Sequence, residues 1–386
     1  MNILLTGIDG YLGWPAALRL SKEFPDANIV GIDNLARRKW VMECGSVSAI
    51  PIAGMNERIE TARAKGYTNI DFVEGDLVDR DFVYQTLRIF TPEIVIHVAA
   101  QPSAPYSQIN GERANFTQMN NNQSTRNLLW GLKENGLMES HFIETTTTGV
   151  YGAPNFKIPE GFLEVRVGDG KDVILFPGMA GSWYHMSKST DVNNLYLSNK
   201  LWNMTITDLR TAIIYGAETI DTAVDPILAT RFDFDFFFGV VIHRFCAMVL
   251  TGYPIIVYGK GEQGKPFVSL EDATGSIVAA AKSKQEGTFR VYNQCTETVS
   301  IIHLANAIKS AAEKMGLNTV INNIPNPRVE KEVHKMEIAN DGLLGLIGKP
   351  KQTVETGMMP ILHAFRPYQD IIKEHEDRFL PDELRK

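Results

Sequence analysis

Short apolar runs recur along the first half of the chain, separated by mixed stretches of helical period. Residues 1–6, 29–32, 70–77, 94–100, 142–148 and 206–214 read as buried strands. Helical stretches lie between them, one running through Ala16, Leu18 and Leu20 and another over 182–201. This alternation to about Gly216 predicts an α/β fold on a doubly wound parallel sheet. Residues 35–67 are longer than an ordinary connection and are expected to carry a helix of their own. Residues 154–177 read as a loop with a small hairpin, 161–167 against 172–176. Past Gly216 the pattern predicts a helix over 232–250 and a strand over 255–258. A strand over 267–270, a helix from Glu271 and a helix over 300–315 follow. The expected division is a dinucleotide-binding domain at 1–216 and a smaller substrate domain at 217–386, with part of 267–300 returning to the first.

Composition agrees. The 386 residues are 44% hydrophobic and 22% charged, enough for one large domain and a smaller one. A formal net charge of −7 argues against a nucleic-acid partner. Cys44, Cys246 and Cys295 offer neither zinc spacing nor a disulfide framework, so no metal is expected and a reducing cytoplasm fits. The apolar stretch 236–258 is interrupted by His243, Arg244, Gly252 and Pro254, and reads as a buried helix then a strand, not a membrane insertion. Residues 1–6 lack the charge pattern of a signal peptide.

The first chemical signal follows the first strand. Gly7, Gly10 and Gly13 are spaced as glycines that bring backbone close to a pyrophosphate, with a helix N-terminus facing the negative charge. Asp33 ends the second strand, placed to accept hydrogen bonds from an adenosine ribose and to repel a ribose phosphate. That favours NAD over NADP, although Arg37 or Arg38 is able in principle to hold the extra phosphate. Asp76 and Leu77 end the third strand near the adenine edge. Ala99 and Ala100 are small enough for a cofactor to pass. His97 reads as a packed histidine.

The second signal is Tyr184 with Lys188, four residues apart on one helix face. A phenol ionises near ~10, but a neighbouring ammonium favours the phenolate and allows it to take a proton from an alcohol. The spacing alone is common. The run Thr145 to Thr148 ends the fifth strand; most of it suits a strand structurally, and one hydroxyl there is placed to polarise a substrate oxygen.

Glycine loop, Asp33, Asp76, threonine strand end and Tyr/Lys helix, in this order, resemble the extended short-chain dehydrogenase/reductase family, whose members modify nucleotide sugars. Further segments narrow the likeness: Asp33-Asn34-Leu35 with Arg37-Arg38, Ser103-Ala104-Pro105-Tyr106-Ser107, Tyr184-His185 with Ser187-Lys188, Arg231 with Asp233 and Asp235, and Asn326-Pro327-Arg328-Val329-Glu330. They are most similar to the branch that makes a sulfonated sugar nucleotide from UDP-glucose and sulfite. The resemblance implies a Rossmann-type sheet with a smaller C-terminal nucleotide-sugar-binding domain and a tightly bound, recycled NAD. It implies Thr147, Tyr184, Lys188 and His185 as the catalytic set. It adds Tyr11, Asn34, Arg37 and Asn121 to the cofactor contacts. It implies Gln101, Thr147, Arg244, Gln263, Lys265 and Arg328 on the substrate side, with Arg231 either there or in a structural ion pair with Asp233 or Asp235.

Three departures stand out. Sugar 4,6-dehydratases of the family carry an Asp-Glu pair after the catalytic threonine; here Thr148-Gly149 stands there. This leaves His185, which ordinarily titrates near neutral pH, as the candidate proton shuttle for elimination. Pro102 replaces an arginine, so either sulfite is held by another group or the sulfur comes from a different donor. Lys265 stands where an arginine is usual. Two other readings remain beside this one: an NAD-dependent 4-epimerase or dehydratase, and a non-catalytic NAD-binding sensor. Family members pair as homodimers through two helices, here 112–134 and 182–201.

Overall fold

The computed structural model describes residues 1–325 and 336–384. Seven strands form one parallel sheet: Asn2–Thr6 (β1), Asn28–Asp33 (β2), Ile70–Glu74 (β3), Ile94–His97 (β4), His141–Thr147 (β5), Thr205–Thr211 (β6) and Phe289–Gln294 (β7). Their order is β7-β6-β5-β4-β1-β2-β3, every neighbouring pair being parallel. The order reverses at β1, so the connections leaving β1 and β4 part company and open a crevice above their C-terminal ends.

Both sheet faces are covered, which is why the strands read as unbroken apolar runs. Side chains alternate between faces. Ile3, Leu5, Ile96 and Ile143 pack with Leu18 of the helix Gly13–Glu23 on one side. Leu4, Val95 and Phe142 pack on the other with Leu128, Leu132 and Leu195 of the helices Gly111–Glu134 and Trp183–Trp202. A second apolar cluster gathers Phe245, Ile255, Phe267, Leu304 and Leu362 away from this sheet.

The structure departs from the sequence reading in several places. Residues 35–67 carry two helices, Ala36–Glu43 and Met55–Ala64. The run expected over 206–214 is broken. β6 ends at Thr211, and Ile213–Tyr215 pairs with Gly264–Ser269 in a separate three-stranded sheet. Ile213 and Tyr215 join the second core, where Tyr215 is buried, while Ile214 stays against the first. The helix expected from 232 begins only at Val241. The Asp235 carboxylate accepts from the backbone N–H of Phe237 and Phe238, both at 2.8 Å, so this acid offers the backbone an alternative to helix. The hairpin Phe162–Val167 against Gly170–Leu175 is present. Among the described residues no helix is long and apolar enough to cross a membrane.

Candidate active site

A cavity of about 1460 Å³ opens above the C-terminal ends of the strands. Gly7, Gly10, Tyr11 and Gly13 form its floor beside β1. Gly7 has φ +80°, and a Cβ there would lie 2.8 Å from the Ala99 backbone. A Cβ at Gly13 would overlap the Gly7 carbonyl. The loop thus turns tightly and brings the helix N-terminus to the crevice, the cradle a pyrophosphate needs. Tyr11 crosses the site: its hydroxyl donates to the Gly216 carbonyl at 2.6 Å, and burial raises its phenol well above the ordinary value.

At the adjoining wall Asp33 accepts from Leu35 N (2.7 Å) and Asp9 N (2.9 Å). Burial, then the Asp9 charge, push its carboxyl up to about 6. Leu35 takes the left-handed conformation, φ 57°, to start the next helix at once. Asn34 Nδ2 donates to Asp76 Oδ2 at 3.1 Å, and Leu77 and Ala99 complete the lining. Both arginines beside Asp33 are engaged in ion pairs, and Arg37 also lines the cavity. Arg38 grips Asp9 at 2.7 and 2.6 Å, and Arg37 pairs with Asp233 at 2.7 Å while stacking over Phe238. Arg231 also pairs with Asp233, at 3.0 Å, which makes it structural.

Thr147 ends β5 at the cavity. Its Oγ1 accepts from Gly149 N at 3.1 Å, leaving its own hydrogen to donate outward. Tyr184, His185 and Lys188 line the same cavity from one helix. Ser182 caps that helix by accepting from His185 N at 3.1 Å, and Tyr184 N donates to Ser107 Oγ at 3.1 Å. The Ser103–Ser107 segment therefore buttresses the catalytic helix.

Three expectations are corrected here. The Tyr184 phenol is raised, not lowered: burial outweighs the Lys188 charge, and Asp191 and Glu144 add to the rise. Lys188 Nζ lies 2.9 Å from Glu144 Oε1 and 3.3 Å from Asp191 Oδ2, so its charge is already compensated. His185 does not titrate near neutrality: burial, then Lys265, hold it down to about 4. Gln101 and Asn121 do not reach the cavity. Gln101 is fully buried, its Nε2 donating to Ser103 O (3.1 Å) and Thr117 Oγ1 (3.0 Å). Asn121 accepts from Gln101 N and donates to Ser187 Oγ at 3.0 Å. Both hold the loop carrying Pro102 against the catalytic helix.

Pro102, Arg244, Gln263 and Lys265 line the cavity on the substrate side. Arg244 Nη1 donates to the Gly239 carbonyl. Arg328 lies outside the described residues. His97 is packed, as read, between Thr6 (2.7 Å) and Thr125 (3.3 Å). Sequence reasoning missed Glu144 and Asp191; Asp191 was findable, three residues beyond Lys188 on one face. It also missed the C-terminal residues Phe379 to Asp382, which line the cavity and carry no sequence signal of doing so.

This is the site of a nicotinamide-dependent enzyme of alcohol chemistry. The NAD dependent epimerase/dehydratase family matches residues 3–295, and the chain belongs to it. The chain is 38% identical over 370 residues to UDP-sulfoquinovose synthase, chloroplastic, of Spinacia oleracea, covering 96% of this chain and 76% of that one. It is 36% identical over 383 residues to UDP-sulfoquinovose synthase of Sulfolobus acidocaldarius, covering 99% and 96%. In fold it is similar to UDP-glucose 4-epimerase with UDP-glucose from Thermotoga maritima, at TM-score 0.69, 20% identity and coverage of 95% and 99%. It is also similar to a UDP-glucuronic acid 4-epimerase mutant from Bacillus cereus in complex with a fluorinated UDP-sugar and NAD, at TM-score 0.71 and 20% identity.

Proposed function

We propose that this protein converts UDP-glucose and sulfite to UDP-sulfoquinovose. The observation that carries the reading is His185 lining the cavity with Thr147, Tyr184 and Lys188, its ring filling the space of a side chain at Gly149, where dehydratases carry the second carboxylate. The two relatives above support it over an epimerase, and the intact Tyr184 and Lys188 oppose a mere sensor.

The glycine loop, Asp33, Asn34 and Asp76 fit NAD, which when bound supplies the acceptor and later the donor of hydride at carbon 4. Tyr184 takes the proton of the sugar 4-hydroxyl, and Thr147 donates a hydrogen bond to the 4-oxygen. The carbon 4 ketone acidifies the hydrogen on carbon 5. His185, neutral at pH 7, accepts that proton; an anion near Lys265 strengthens it as a base by shielding the charge that depresses it. His185 passes that proton to the 6-hydroxyl, which leaves as water, giving an alkene conjugated with the ketone. Sulfite enters as bisulfite and adds to carbon 6, its proton passing to carbon 5, and Tyr184 returns its own to the 4-oxygen as carbon 4 is reduced. Arg244, Lys265 and Gln263 suit the UDP diphosphate.

Two further readings belong here. The helices Gly111–Glu134 and Trp183–Trp202 expose Met119, Trp130, Trp183, Met186, Leu197 and Leu201, which suits pairing with a second copy. The three free cysteines suit a reducing compartment. The test of function is mass analysis of products from UDP-glucose with and without sulfite. A sulfonated nucleotide formed only with sulfite is expected; UDP-galactose formed without sulfite overturns the reading.

A further inference from the structure

Asp9 lies in the glycine loop, between Gly7 and Gly10, but does not line the cavity. Its carboxylate is buried, and two arginines close on it. Arg38, on the helix Ala36–Glu43, donates to both oxygens, at 2.7 and 2.6 Å. Arg58, on the helix Met55–Ala64, donates to Oδ1 at 3.0 Å. The side chains of Arg58 and Asp9 are 0% and 1% exposed. The Arg38 fork alone already satisfies the carboxylate. Arg58 does more than pair. Its Nη2 donates to the Ala229 carbonyl at 3.1 Å, and its guanidinium stacks on Trp14 at 4.2 Å. Trp14 Nε1 donates to the Leu228 carbonyl at 2.8 Å, and Thr230 Oγ1 donates to the Tyr11 carbonyl at 3.0 Å. The consecutive residues Leu228, Ala229 and Thr230 are therefore a strap bound across the loop and the start of its helix. Arg58 joins loop, helix and strap at one point.

We propose that Arg58 is a positioning residue for the dinucleotide: it fixes Asp9 to the strap, and so holds the glycine loop in the shape that keeps NAD bound. The amides of Gly7, Asp9 and Gly10 bond within the protein, to Ile32 O (2.7 Å), Asp33 Oδ2 (2.9 Å) and Gly7 O (3.0 Å). The pyrophosphate therefore falls to the helix N-terminus just beyond them, whose aim the loop sets. Asp33 bonds the Asp9 amide and also stands at the ribose wall, so a shift of Asp9 disturbs both contacts. Stability is a weak reason for Arg58 to be there. Burying a cation with a carboxylate costs about as much as their attraction returns, and Arg58 Nε has no partner among the described residues. What the buried guanidinium supplies is one fixed geometry for three segments distant in sequence. The inference concerns the cofactor loop and does not depend on which sugar the site takes.

The test uses the NAD-loaded full chain with Arg58→Met, which keeps the bulk beside Trp14, and Arg58→Lys, which keeps the charge. NAD release is timed by displacement with excess NADH, read by its fluorescence. Hydrogen exchange is followed by mass at saturating NAD, comparing peptides over 7–14 with peptides over β4 and β5. In Arg58→Met, release is about tenfold faster, the worth of one charged hydrogen bond. Exchange rises over 7–14 while β4 and β5 are unchanged. Arg58→Lys lies between, since an ammonium lacks the planar fork that spans Asp9 and Ala229. Release as slow as wild type in Arg58→Met overturns the proposal. So does exchange that rises equally in the strands, which makes Arg58 a residue of the fold alone. If Arg58→Met does not fold, Arg58→Lys decides by the same two readings, and wild-type release there overturns the proposal.

Discussion

The imidazole of His185 occupies the space that a side chain on Gly149 would fill. A Cβ built on Gly149 would overlap His185 Cδ2 and Nε2. A side chain at 149 would therefore force the His185 ring to move, which ties the missing second carboxylate to the histidine.

Gly149→Ala therefore displaces the ring while leaving the fold intact. The expected result is a fall in kcat of at least about tenfold with little change in thermal stability. Steady-state kinetics and a melting curve together check it; unaltered kcat would remove His185 from the mechanism.

Tyr184→Phe is expected to lower turnover by about 10²-fold or more, because it removes the group assigned to take the 4-hydroxyl proton. Product analysis by mass decides this. NAD retained by the variant separates lost chemistry from lost cofactor.

Stability depends on pH through the buried histidines. His141 is held down to about 3, and His185 and His243 to about 4, each chiefly by burial. Each is neutral when folded and takes up a proton more readily when unfolded. Their contribution is fully present above about pH 6.5 and is lost as pH falls toward about 4. Melting temperature should decline over that window. His185→Asn should flatten the decline by up to about 3 kcal/mol; an unchanged profile would mean that His185 is charged in the fold.

NADP should not replace NAD. Asp33 would face the added phosphate, and Arg38 is held by Asp9. Equilibrium binding of the two dinucleotides reads this directly; comparable affinities would refute it.

Leu197→Glu with Leu201→Glu should yield a monomer by sedimentation, since both side chains are more than half exposed on the catalytic helix. A dimer that persists in the double variant places the contact elsewhere.

Much of the sheet was legible because buried parallel strands advertise themselves as apolar runs. Asp33 and the glycines were legible because their chemistry is local: a turn, a strand end, a helix start. Gln101 and Asn121 were misjudged for the opposite reason. Polar residues near a site read alike whether they face a ligand or one another, and here Asn121 accepts from Gln101 N at 2.8 Å. The break in the strand run at Ala212 was also invisible, since both halves are apolar and only pairing with a different sheet separates them.

By itself the sequence determined the doubly wound sheet, the dinucleotide loop and the helix bearing Tyr184, His185 and Lys188, all through short-range periodicity and backbone chemistry. Only the tertiary structure decided the charge state of that helix. The acids that compensate Lys188 come from β5 and from the next turn of the helix. The lysine that depresses His185 comes from Gly264–Ser269, far along the chain. Burial and long-range charge set protonation, and neither is a property of a residue's neighbours in sequence.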